Sequence, residues 1–222
     1  MPFDPFESAS AVDFTPSFLE SRVRPNKENV LFAVIDKRQP AHDGSQPLSR
    51  TLAGIISLLN TSPTDLMTEM GFTLTFPALQ GTHVTKSATA LLLCCCLDPS
   101  PVGLGLRRVQ WQANIANQAS IHVAERMRST KEAVRRWDRV VPADGKVGNG
   151  RRIGFGDPKG ASIGRDIGIL SIYWDDWEER REFIQGVRDV HFQREVKTKK
   201  LTDIASVTNV HDELHGAERS KK

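Results

Sequence analysis

Residues Glu69–Ala88 read EMGFTLTFPALQGTHVTKSA, and the fold turns on this stretch. From Glu69 to Phe76 polar and apolar residues alternate, the period of a half-buried strand, and Pro77 ends it. His83–Leu97 then carries no Gly or Pro and is apolar all round, which predicts a buried helix. A short loop joins the two. The first turn of a helix leaves backbone N–H groups unpaired at the positive end of its dipole. A loop of small residues there suits a phosphate or pyrophosphate. Gly81, Thr82 and Thr85 fit that use, and His83 and Thr85 add side-chain donors. The loop has neither the lysine of a P-loop nor the spaced glycines of a dinucleotide-binding turn.

Upstream, Val30–Asp36 (VLFAVID) and Thr51–Leu59 (TLAGIISLL) read as two strands of a hairpin with a long Pro- and Gly-containing loop. Residues 1–28 form a Pro- and Ser-rich extension with one short helical stretch around Ser17–Val23. Downstream, Leu106–Ala113 alternates as a strand, and Asn117–Arg128 has the helical spacing Ile121, Ala124, Met127. Ala133–Val141 and Asp166–Trp174 are predicted strands, and Asp175–Val190 an amphipathic helix. Between the two strands, Pro142–Arg165 is a long loop with seven glycines, expected to be mobile and to shape a substrate site. The order predicts a mixed sheet in an α/β (α+β) domain over residues 29–190. A polar, flexible tail over 191–222 follows.

Composition narrows the function classes. The chain has 222 residues and a net charge of +3, too little by itself to mark a nucleic-acid binder. The charge is uneven, since residues 107–152 hold 11 Lys/Arg against 4 Asp/Glu. A basic middle in a near-neutral chain suits a small anionic ligand. The longest apolar run, Leu91–Leu97, is far below the roughly 20 residues that cross a bilayer. The start, MPFDPFESAS, lacks the basic and apolar regions of a secretory leader. A cytoplasmic protein is expected. Cys94, Cys95 and Cys96 are consecutive, so on a helix they point three ways, cannot share a metal and belong to packing. The histidines have no ligand spacing, and no metal site is expected.

The quoted stretch also resembles the acyl-CoA-binding motif of the GNAT acetyltransferase superfamily, in its RimJ/RimL-like branch. That motif reads E-x-G-(Y/F)-x-L, then P, then Q-G-x-G-x-A and an Ala soon after. Glu69, Gly71, Phe72, Leu74, Pro77, Gln80, Gly81 and Ala88 match, with one extra residue before Pro77. His83 stands at the middle glycine and Thr85 at the alanine. Fungal relatives with a Gln-x-Thr-His-Val-Thr loop look alike, which marks a fungal-type subgroup. Leu104–Asn114 is similar to the family's fifth strand and Asn117–Met127 to its next helix, with Asn and Ser three apart. Asp166–Trp177 is similar to the branch's closing strand with an acid–Trp pair after it. The chain departs from the pattern where Arg128, Ser129 and Thr130 replace the Gly-Phe that ends this helix. It departs again before Val30, where the family has a strand and one or two helices; the first strand is expected to be missing, exposing a sheet edge.

The resemblance implies a mostly antiparallel GNAT-like sheet flanked by helices and an enzyme that transfers acetyl from acetyl-CoA directly to an amine. Pantetheine would bond the strand at Leu74, Thr75 and Phe76. The pyrophosphate would sit on Gln80, Gly81, Thr82, His83, Val84 and Thr85, and Asn114 and Asn117 complete the cofactor set. An aliphatic amine with a pKa of about 10 is charged at neutral pH and needs a base; Glu69 is the first candidate. Ser120 corresponds to a residue facing the CoA sulfur. Tyr173, the only tyrosine, is a second candidate acid. Each has a plainer reading: a strand-edge charge for Glu69, a helix-start hydrogen bond for Ser120 and core packing for Tyr173. The acceptor is an amine of a small molecule or a protein N-terminus, no nucleic acid or membrane partner is expected, and a homodimer stays open. Rival readings are a small-molecule acetyltransferase tailoring a secondary metabolite, an inactive GNAT-fold binding protein and, last, a basic RNA-associated module.

Overall fold

The computed structural model describes residues 15–38 and 52–189. A short helix α1 (Thr15–Val23), wound as a π-helix, precedes strands β1 (Val30–Ile35), β2 (Leu52–Ser62) and β3 (Met67–Thr75). A single 3₁₀ turn, Pro77–Leu79, leads into helix α2 (Val84–Leu97) and strand β4 (Arg108–Asn114). Helix α3 (Gln118–Arg126), strands β5 (Thr130–Pro142) and β6 (Ser162–Tyr173), and a helix α4 over 177–189 complete it. The strands form one sheet in the order β1-β2-β3-β4-β6-β5. Among the described residues only β3 and β4 run parallel; every other pair is antiparallel. This is the mixed, mostly antiparallel sheet flanked by helices that the sequence predicts.

The parallel step is the one that needs a crossover, and α2 supplies it. Its residues Ala90, Leu93, Cys94, Cys96 and Leu97 are buried against Ile56, Met70, Val109 and Trp111 of the sheet. The Cys96 thiol is pushed up to about 12 by burial, so it stays protonated and serves as packing. Helix α3 adds Ile121 and Ala124 to the same core, and α4 adds Trp177 and Ile184. Buried Asp98, just after α2, ties α4 down: it accepts from Trp177 Nε1 at 3.0 Å and pairs with Arg181 Nε at 2.8 Å.

The turn after α3 is rebuilt. Arg128 takes the left-handed conformation, φ 65°, that usually falls to glycine at this point of a helix end. Its guanidinium lies over the Phe183 ring at 4.5 Å, and Arg180 Nη1 donates to its carbonyl at 2.5 Å. The long glycine-rich loop, expected to be mobile, is anchored near its base. Asn149 N donates to Gly164 O at 2.8 Å, Asn149 Nδ2 to Asp166 Oδ1 at 2.9 Å and Asn114 Nδ2 to Val147 O at 3.0 Å. Glycine composition alone cannot reveal these ties.

Among the described residues no strand pairs with the outer edge of β1, where Val30 and Phe32 are exposed. Most of the loop expected between β1 and β2, and the tail over 191–222, lie outside the described residues. Among those residues no helix is long and apolar enough to cross a membrane, and no three His, Cys, Asp or Glu side chains group as metal ligands.

Gly54 on β2 faces Thr75 in the register, and a Cβ there would collide with the Leu74 carbonyl oxygen and meet Thr75 Cα at 3.0 Å. Backbone atoms cannot step aside as a side-chain tip can. Gly54→Ala should therefore cost about 3 kcal/mol of unfolding free energy, read as a lowered urea midpoint. An unfolding free energy within about 0.5 kcal/mol of wild type would show that β2 and β3 are not this close.

Candidate functional site

The sheet divides between β3 and β4. Their parallel pairing runs only from Met67↔Arg108 to Met70↔Trp111, although β3 continues to Thr75 and β4 to Asn114. Past Met70 the edge of β3 that faces β4 has lost its strand partner, and its backbone N–H and C=O groups need another. A bulge in β3 accompanies the split. Ile55 pairs with Leu74 and Ser57 with Gly71, so Phe72 and Thr73 together oppose Ile56. Phe72 sits at φ 45°, a strained conformation for an aromatic residue. Phe18 of α1, wholly buried, meets its ring edge-to-face at 4.7 Å and pins the bulge.

Beyond the split, the loop that opens α2 is held by its own side chains. Gln80 Nε2 donates to Thr75 O at 3.1 Å, and the Thr75 and Thr85 hydroxyls hydrogen-bond at 2.7 Å. Thr82 Oγ1 donates to Leu79 O at 2.6 Å and accepts from Val84 N at 3.4 Å. Gly81 has φ 75°, and nothing lies within 4 Å of where its Cβ would stand. The side chain of His83 does not cap the helix. Instead the imidazole turns to the end of β1, with Nε2 3.5 Å from Asp36 Oδ1 and Nδ1 against Arg38. The split and this loop are contiguous along the chain, where Leu74, Thr75 and Phe76 lead through the turn Pro77–Leu79 into Gln80 to Thr85.

Glu69 stands one residue before the last paired position of β3, opposite Gln110. It is buried, and its Oε2 accepts from Gln112 Nε2 at 2.8 Å and from Asn60 Nδ2 at 3.3 Å. Burial raises its pKa above the ordinary 4.5, while Asn60 and the charges of Arg139 and Arg135 pull it down less strongly. Ser120 lies on the other face of the sheet. Its hydroxyl accepts from Trp111 Nε1 at 3.0 Å, and Trp111 is the last β4 residue paired with β3. Asn117 caps α3 by accepting from Ser120 N at 3.2 Å. Asn114 is buried, with its amide engaged by Val147 O and by Ala116 N.

Tyr173 is elsewhere. It pairs with Arg108 at the start of β4, the end away from the split. Arg108 lies 5.5 Å from its ring centroid and pairs with Glu132 at 2.8 Å. Burial and the Glu132 carboxylate both raise the Tyr173 pKa, which makes it a poorer proton donor. Glu69 and the Trp111–Ser120 pair thus sit beside the last β3–β4 pairing on opposite faces of the sheet, the loop follows the free end of β3, and Tyr173 lies at the other end of the β3–β4 pairing. Gln112, Asn60 and Arg135 are contacts of Glu69 or of its partner that sequence reasoning missed. An i, i+2 run Arg108, Gln110, Gln112 on β4 was the available signal: polar residues on one face of an interior strand.

No protein-family model matches the chain, and no curated protein matches it by sequence. Solved structures do match. The chain is similar to a GCN5-related N-acetyltransferase from Brucella melitensis, with a TM-score of 0.59 and 23% identity over 80% of this chain and 65% of that one. It is also similar to a probable acetyltransferase of the GNAT family from Chromobacterium violaceum, with a TM-score of 0.56 and 21% identity over 80% and 74% of the two chains. At these identities the likeness is one of fold. The chain spans about two thirds of the length of the Brucella protein.

The buried carboxyl has a stability consequence. A group whose folded pKa is raised is ionised at a cost, so wild type loses stability as pH climbs from 4.5 through the raised value. Glu69→Gln removes that loss. Relative to wild type, the variant should be more stable at pH 7 than at pH 4.5, compared by urea unfolding at both. A difference that does not change with pH would contradict the burial argument.

Proposed function

We propose that this protein is an N-acetyltransferase of the RimJ/RimL-like kind, moving acetyl from acetyl-CoA to an amine. The observation that carries the reading is the loss of β3–β4 pairing past Met70 and Trp111, next to a loop that runs into the start of α2. An unpaired strand edge asks for an extended partner with amide groups, and pantetheine is one. A helix start whose His83 N-cap gives no side-chain hydrogen bond asks for an anion, and a pyrophosphate is one. Two further features fit the ligand. The buried hydroxyls of Thr73 on β3 and Ser87 on α2 have no hydrogen-bond partner among the described residues. The position of a Gly81 Cβ opens onto clear space.

In this reading Leu74, Thr75 and Phe76 hold the pantetheine, and Gln80 to Thr85 hold the phosphates. Acetyl-CoA supplies, when bound, a thioester carbon open to attack. Glu69, buried at the point where the strands part, takes the proton from the ammonium so that a neutral amine can attack. Its raised pKa makes it a better base than an exposed carboxylate. Ser120, beside Trp111 on the opposite face, is the donor toward the sulfur. Asn117 starts the helix that carries it, and Asn114 anchors the glycine-rich loop that borders the acceptor. Residues 29–190 form the acyl-CoA-binding domain, with extensions over 1–28 and 191–222, and the protein works in the cytoplasm. The acceptor is a small-molecule amine or a protein N-terminus.

Calorimetric titration with acetyl-CoA should give micromolar binding that Gly81→Trp abolishes. In a screen of amine acceptors, Glu69→Gln should lower kcat about 100-fold and leave acetyl-CoA affinity within a factor of two of wild type, as a rough bound. Binding without transfer by wild type would favour a GNAT-fold binding protein. No binding by folded protein would refute the proposal.

A further inference from the structure

The carboxyl of Glu69 is the end of a hydrogen-bonded chain built from three strands and passing over β6, which lies between β4 and β5. Gln112 Nε2 on β4 donates to Glu69 Oε2 at 2.8 Å, and Gln112 Oε1 accepts from Arg135 Nη2 on β5 at 2.6 Å. Arg135 Nε is in turn held by Asp138 at 2.9 Å. An amide has one accepting end and one donating end, whereas a guanidinium only donates. Arg135 therefore decides which way round the Gln112 amide sits. A flipped amide would set donor against donor at Arg135 and acceptor against carboxylate at Glu69. Asn60, held at φ 50°, donates to the same Oε2 at 3.3 Å.

Both donors thus act on one oxygen. The other, Oε1, lies 3.7 Å from where a Cβ of Gly71 would stand. Gly71 is the first β3 residue past the last one paired with β4. We propose that Arg135 and Gln112 are positioning residues for Glu69, tying Oε2 back and leaving Oε1 beside Gly71, at the residue level where β3 parts from β4. This deepens the reading of Glu69 as the base and rests on it for its catalytic consequence. The groups bearing on Glu69 are Asn60 from β2, Gln110 and Gln112 from β4, and Arg135, Asp138 and Arg139 from β5. Gln112 stabilises the ionised carboxylate, and Arg135 does so in two ways: by its field and by fixing Gln112. The relay is the second.

The two ways separate in a double-mutant cycle read by carbon-detected NMR titration of the Glu69 carboxyl, assigned by its disappearance in Glu69→Gln. Gln112→Leu should raise the Glu69 pKa by about one unit, the scale of one hydrogen bond to a charged group. Arg135→Met should raise it as well, and by at least about twice as much in the wild-type background as in the Gln112→Leu background. Where transfer is measured, the low-pH limb of kcat/KM should move with the NMR value while the KM for acetyl-CoA holds. An Arg135→Met shift equal in both backgrounds means that Arg135 acts by field alone and overturns the relay, whatever the activity. Coupling in the cycle without transfer to any amine leaves the relay standing and overturns the function that Glu69 is given above.

Discussion

Strand pairing is the constraint on which the rest depends. A parallel pair inside a sheet satisfies its backbone groups only while the strands stay side by side. Here β3 and β4 do so for four residue pairs and then part, although each runs on. The separation is built from both sides. On one, Phe72 and Thr73 bulge against Ile56, with Phe18 packed on the bulge. On the other, β4 stays with β6 up to Asn114, whose amide is tied to Val147. Helix α2 begins beyond the opening and its body fills the core below, so the gap ends at a helix start.

The same geometry explains where a carboxyl can be useful. Glu69 lies one residue before the last β3–β4 pair, far enough into the sheet to be buried. Burial alone favours the protonated acid; hydrogen bonds to Oε2 oppose that. The balance leaves the pKa raised, the direction that the base proposed above calls for. Ser120 is placed through Trp111 on the other face of the sheet, so in the proposed mechanism acid and base approach from opposite sides.

The parts of this design that were legible in sequence are those with local signatures. The alternation in Glu69–Phe76, the loop of small residues and the apolar run to Leu97 identified a strand, a turn and a buried helix at nearly their observed limits. Ordered motifs then supported the sheet type. What escaped needed register. Gln112, Arg135 and Asn60 are 43, 66 and 9 positions from Glu69 in sequence, and only the strand order brings them to it. Tyr173 was attractive as the only tyrosine, but pairing with Arg108 carries it to the far end of β4. The 142–165 loop looked free because glycines dominate it, whereas its anchors are the side chains of Asn114, Asn149 and Asp166.

The central claim is that the gap between β3 and β4 receives acetyl-CoA. Amide chemical-shift mapping of the labelled protein during titration with acetyl-CoA tests it most directly. The account predicts that the largest shifts fall on Gly71–Thr75 and on Gln80–Thr85, with Asp166–Tyr173 little changed. Binding that moves only residues remote from both segments, or no shift at all in a folded chain, would contradict it.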